Sequence, residues 1–153
     1  MDQPMSAPSM NQHRSPRRRI VLAGVAAVLA GPPFAGRDMT ADGGAISLDQ
    51  ARAEFDAGRA ILIDIREPDE HATGVAAGAM LLPMRQLAQR LAEIPTDPRR
   101  PVLLICRTQN RSSATWHALR DQGYGHVRYV HGAISEWARR GWPMVKPGVK
   151  PGG

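Results

Sequence analysis

Apolar residues along this chain fall into short blocks of two kinds. Continuous apolar runs at residues 60–65, broken only by Asp64, and at Val102–Ile105 predict strands buried on both faces. Residues 78–83 and 126–130 predict two more strands. Helical signals lie between and around these runs. Ser47 and Gln50 stand at capping-box spacing and open a helix that stops at Gly58. Pro68 is placed to start a short helical turn. Met84, Leu87, Leu91 and Ile94 predict one amphipathic helix, with their side chains as a core stripe. Ser112 or Ser113 is the predicted cap of a helix running through Leu119 to Gln122 and closed by Gly123, and residues 134–140 form a last short helix. From Pro143 the chain reads as frayed, with 147–153 a flexible tail.

Strands that alternate with helices predict an α/β fold: one domain over residues 46–146, a central parallel sheet of about five strands, and helices on both faces. Ligands in such sheets bind beyond the carboxyl ends of the strands. Cys106 sits at that edge, directly after 102–105.

Ahead of the domain, residues 1–19 are polar and end in Arg17-Arg18-Arg19, and residues 20–30 are unbroken apolar or glycine. A basic stretch, an apolar run of about ten residues and small residues after it predict an export signal over 1–35. The run is shorter than the roughly 20 apolar residues of a spanning helix. Arg18-Arg19 followed by apolar residues also resembles a twin-arginine signal, and an uncleaved anchor facing the periplasm is the alternative. The expected compartment is the periplasm, with residues 36–45 as linker.

The net charge of +6 changes little once this segment is set aside. Arg14, Arg17, Arg18 and Arg19 face only Asp2 in the first 20 residues, and beyond them 16 Lys and Arg stand against 13 Asp and Glu. These charges are interleaved, without the basic face of a nucleic-acid module, so nucleic acid is excluded as the main partner. His13, His71, His117, His126 and His131 lack ligand spacing to one another or to Cys106, so no zinc site is predicted. Trp116, Trp137 and Trp142 read as packing residues.

The chain's single cysteine is either a buried small hydrophobe or a reactive thiol. Its surroundings favour the second. Residues 106–112, Cys-Arg-Thr-Gln-Asn-Arg-Ser, join a buried strand to a helix N-terminus, where successive backbone N–H groups and the helix dipole converge on an anion. Arg107 and Arg111 add positive charge, and together these features favour a nucleophilic thiolate. Four residues separate Cys106 from Arg111, one fewer than in cysteine-dependent phosphatases and related arsenate reductases. The shorter loop predicts a bowl sized for one sulfur.

Over about residues 46–145 the chain resembles the rhodanese family. Asp64-Ile65-Arg66, then Glu67-Pro68-Asp69-Glu70 with Gly74 and Gly78 to Pro83, match its first two signatures. Cys106 to Ser112 matches the active-site loop, and Gly132, Trp137 and Gly141 to Pro143 match the closing pattern. The resemblance implies a sulfurtransferase in which Cys106 takes the outer sulfur of a donor such as thiosulfate as a persulfide, then passes it to a thiol or cyanide. It further implies that the amides of Arg107, Thr108, Gln109, Asn110 and Arg111 hold the persulfide. Arg111 and Arg107 would bind the sulfonate, and Asp64, Arg66 and Ser112 would support the loop. No metal or organic cofactor is implied. A non-catalytic binding or redox-sensing module of the same fold is the alternative. Three positions depart from the family pattern: Gln109 stands where Gly is usual, Val75 where His is common, and Ala133 where a second Gly is expected. The last two are expected to lie away from the sulfur.

Overall fold

The computed structural model describes residues 43–148. The predicted export segment, most of the predicted linker and the end of the predicted tail lie outside the described residues. Five parallel strands form the central sheet in the order β1-β6-β5-β2-β4. They are β1 (Ala45–Ser47), β2 (Ile61–Asp64), β4 (Met80–Leu81), β5 (Val102–Ile105) and β6 (Val127–His131). The helices are α1 (Leu48–Asp56), α2 (Pro68–His71), α3 (Asn110–Asp121) and α4 (Ala133–Arg139). A separate two-stranded antiparallel ribbon pairs β3 (Val75–Ala76) with β7 (Met144–Val145).

Alternation along β2 and β5 sorts their apolar side chains to opposite faces of the sheet. Ile63, Leu104, Trp116, Leu119 and Tyr129 form one core with Cys106, on the side of α3. Leu62, Leu103, Ile105, Val130, Ile134 and Trp137 form the other, with α1 and α4. All four residues of β5 are fully buried, as expected of the central strand. The predicted capping box on α1 is present: Gln50 N–H donates to Ser47 Oγ at 3.2 Å, and Ser47 N–H donates to Gln50 Oε1 at 3.4 Å.

The structure corrects four local expectations. The single amphipathic helix over 84–94 is instead two 3₁₀ helices, Met84–Gln89 and Leu91–Glu93, split at Arg90 with φ of −118°. Apolar spacings of three, four and three suit a period of 3.0 nearly as well as 3.6, so the pattern does not distinguish the two helix types. Residues 45–47, placed across the linker and the domain start, form β1 because they complete the sheet against β6. The chain after Pro143 is not frayed through residue 145: Met144 and Val145 pair with Ala76 and Val75. Lastly, α3 begins at Asn110 with Gln109 as its N-cap, ahead of Ser112 and Ser113. Ser112 lies inside the first turn, where its hydroxyl donates to Gln109 O at 2.9 Å.

Gly44 leads into β1 directly beneath Trp116. A Cβ there would stand 2.4 Å from the indole ring. The ring has little room to retreat: its N–H donates to Val127 O at 2.9 Å, and Tyr129 and the Arg120 guanidinium pack on it. Gly44→Ala is expected to destabilise the domain by about 2 kcal/mol through overpacking. An unchanged urea unfolding midpoint would show that Trp116 yields.

Candidate active site

Cys106 follows the central strand, and its side chain is fully buried. Two backbone amides point at its sulfur, Gln109 N–H at 3.2 Å and Ser112 N–H at 3.4 Å. The thiol in turn contacts Ser112 Oγ at 3.4 Å. No side-chain oxygen caps α3. The sulfur occupies the place a Ser or Asp oxygen takes at an ordinary N-cap, facing N–H groups that no helical carbonyl can satisfy. A twelve-residue helix presents its positive end at the same point.

This turn closes only because Gln109 takes φ of +87°, in the left-handed half of the range that favours glycine. The strain falls on Gln109 itself, since Asn110 is already the first helical residue. A second positive φ, +59°, occurs at Ala133. Ala133, expected away from the sulfur, lies next to residues that bind the loop's backbone. The turn it shapes lets Ile134 N–H donate to Cys106 O at 2.9 Å and Ser135 Oγ donate to Arg107 O at 2.9 Å. Two carbonyls of the loop are thereby tied to the start of α4.

On the other side, the end of β2 and α2 form a buttress. Asp64 is fully buried and accepts from Arg66 N–H at 3.0 Å, from Nε at 3.0 Å and from Nη2 at 2.7 Å. Arg66 also donates to Glu70 O at 3.2 Å and Gly74 O at 2.7 Å, so its guanidinium staples the strand end to both sides of the α2 turn. Arg111 makes a bidentate pair with the Glu70 carboxylate at 2.6 and 2.7 Å. Hydrogen bonds from Arg111, foremost, and from the Glu67 N–H hold the Glu70 carboxyl down to about 2 against the opposing effect of burial. Glu70 is likewise the main cause that raises Arg111, with the Cys106 sulfur a smaller one. His71 is buried beside this cluster. Its Nε2 lies 3.5 Å from Asp64 Oδ1, within ion-pair reach yet without a hydrogen bond.

The rhodanese-like domain family matches residues 47–140. The chain belongs to the rhodanese family. It is 44% identical over 87 residues to a protein named sulfurtransferase from Allochromatium vinosum, a span covering 57% of this chain and 79% of that one. Among solved structures, a thiosulfate sulfurtransferase from Pseudomonas aeruginosa superposes with a TM-score of 0.59 at 26% identity, over 67% of this chain and 20% of the other. The human single-domain sulfurtransferase TSTD1 gives 0.56 at 27% identity, over 63% and 96%.

The loop brings together Cys106, Gln109 and Ser112: of the amides of 107–111 expected around the sulfur, that of Gln109 reaches it, and Ser112, expected only as support, supplies the second. Arg111, expected on the substrate's sulfonate, has its guanidinium on Glu70 instead. Thr108 and Asn110 are exposed at the rim, and so is Arg107, which has no ion-pair partner among the described residues. Sequence reasoning gave no site role to Glu70, His71 or Ser135. Of these only Glu70 carried a signal, its capping spacing to Glu67, and its link to Arg111 crosses 41 positions.

Two outcomes follow from the loop and its clamp. A depressed carboxyl stabilises the fold above its unfolded range near 4.5 and loses that contribution as pH falls toward 2. The thermal midpoint of Glu70→Gln should therefore lie below the native one at pH 7, with the gap closing between pH 4.5 and pH 2.5; a constant gap would deny the coupling. For Gln109→Gly, removing about 1–2 kcal/mol of left-handed strain outweighs the roughly 0.5–1 kcal/mol of added chain entropy. The variant should match or slightly exceed native stability, and a clear loss in denaturant titration would mean the Gln109 side chain holds the loop.

Proposed function

We propose that this chain is a rhodanese-type sulfurtransferase that carries sulfane sulfur on Cys106. The observation that carries the reading is the pair of amides aimed at Sγ from the N-terminal turn of α3. Both favour an anion on that sulfur, whether thiolate or persulfide. The names of the relatives in Allochromatium vinosum and Pseudomonas aeruginosa point to the same chemistry.

In the first half-reaction the Cys106 thiolate attacks the outer sulfur of thiosulfate. The Sγ–S bond forms with the thiolate's electron pair, and the donor's S–S bond breaks with its pair leaving on sulfite. Arg107 is the rim cation available to the sulfonate, while Arg111 acts through its field and through the Glu70 clamp. In the second half-reaction a thiolate or cyanide attacks the terminal sulfur, and Cys106 leaves as thiolate. Ser112 suits both states: with a thiol, S–H can donate to its Oγ, and with an anion its O–H can turn to Sγ. Gln109 O then keeps the Ser113 N–H at 2.9 Å. The basic stretch and apolar run of residues 1–35 support export and transfer on the periplasmic side.

The complete burial of Cys106 favours a second reading, a non-catalytic module in which the sulfur only caps α3. Intact mass spectrometry of the reduced protein after thiosulfate treatment separates the two. A gain of one sulfur on Cys106, absent in Cys106→Ala, is expected. A folded, reduced sample that gains nothing would leave the capping role alone.

A further inference from the structure

The 3₁₀ segment leaves an apolar surface uncovered. Of the four residues spaced as a core stripe over 84–94, only Ile94 is fully buried. Leu87 and Leu91 are half-buried, and Met84 is 37% exposed. These three side chains and Ala88 form one bank of a groove of about 430 Å³, and Ala114 and Ala118 of α3 belong to the other. Both banks run the same way. Met84 N–H donates to Ile65 O at 3.1 Å, just past the carboxyl end of β2, and Pro95 O meets His126 Nε2 at 2.7 Å, just before β6. The helix α3 likewise starts after β5 and ends before β6. The groove therefore has a near end, at the carboxyl edge of the sheet, and a far end at the opposite edge.

Thr115 and Gln122 also line the groove and no charged residue does, so it offers a small ionic ligand no counter-charge. A trough between two helical rows suits a second pair of rows. Its flanking charges differ at the two ends. Side chains three apart eclipse in a 3₁₀ helix, so Arg85 stands in line with Ala88, towards the near end. Glu67 accepts its backbone N–H at 3.3 Å, and the Arg85 guanidinium has no ion-pair partner among the described residues. Glu93 stands at the far end, partly exposed and paired with Arg90. A carboxylate has room for a second guanidinium. A two-fold axis lying across the groove sets each row against its own copy, antiparallel. Arg85 of each copy then faces Glu93 of the other. Ala114 faces Ala118 across two α3 helices whose dipoles oppose. An axis along the groove would instead set Arg85 against Arg111 and the positive end of the second α3, so the charges select the antiparallel arrangement. We propose that two copies of this chain pair face to face across this groove, antiparallel, with Met84 of each packed on Leu91 of the other. The helix α3 has 12 residues and is about 18 Å long. A contact of that length belongs to the weak, reversible class of interface. The pairing does not depend on the transfer chemistry.

Sedimentation equilibrium of the full chain, from about 10 μM to about 1 mM, tests the pairing. A monomer–dimer equilibrium is expected. Arg85→Glu should raise Kd about tenfold, because symmetry repeats the new repulsion twice. Adding Glu93→Arg to that variant should restore most of the loss. Ala118→Glu places a carboxylate at the centre of the contact and should abolish the dimer. Position 118 is exposed in the single chain, so the thermal midpoint of that variant should stay native. A chain that remains monomeric at about 1 mM overturns the proposal and leaves the groove to a foreign amphipathic helix or to water. A dimer with the same Kd in Arg85→Glu and Ala118→Glu overturns it too, since association then occurs elsewhere on the chain.

Discussion

The structure turns on a single exchange of hydrogen-bonding partners: the amides that open α3 face a sulfur where most helices offer an oxygen. A helix start must satisfy its free N–H groups, and a buried thiol must be matched to its polar neighbours. Here each requirement meets the other. Gln109 and Ser112 amides close on Cys106 Sγ, and that contact defines the radius of the loop, the starting residue of α3 and the backbone of Gln109. A conventional cap at Ser112 or Ser113 would relieve Gln109 but would leave the sulfur without its donors.

Holding such a turn requires rigid surroundings, and ion pairs provide them on one side only. From the end of β2, Asp64 holds Arg66, Arg66 holds the backbone around Glu70, and Glu70 holds Arg111 inside the first turn of α3. The Asp64–Arg66 pair is almost wholly excluded from water, so loss of either partner strands a buried charge, whereas Glu70 and Arg111 remain partly solvated. On the opposite side the contacts are neutral: Ile134 N–H and Ser135 Oγ bind loop carbonyls from the start of α4. Of the two loop arginines, Arg111 is thereby committed to support and Arg107 is not.

Much of this was legible in the chain because burial on both faces leaves a plain mark. The run at 102–105 became β5 without change, and the capping box at Ser47 and Gln50 formed as spaced. The parallel architecture and Cys106 at the strand end also followed from local pattern, whereas the departure at position 109 was visible only against the family resemblance. What stayed hidden was non-local or too short. Three-residue β1 and two-residue β7 exist only through the strands they pair with, and no periodicity can reveal them. The 84–94 segment carried a spacing shared by two helix types. The partner of Arg111 could not be chosen from sequence, because a carboxylate 41 positions away competes with an anionic ligand for the same guanidinium.

The β3–β7 ribbon has a further consequence for how the chain comes to be assembled. Met144 reaches the cleft beside the Cys106 loop only through its pairing with Ala76, and β1 finds its place only against β6, with Ala45 opposite Tyr129. The cleft beside the loop is lined from three separate stretches, residues 66–74, Arg107 and residues 134–144. Contacts of such long sequence separation close late, after local helices and turns have formed. A nascent chain that has emerged only as far as α3 already holds the sulfur and its two amides in sequence, yet lacks β6, α4 and β7, and so has no cleft. Completion of the site is an event of the last residues to fold.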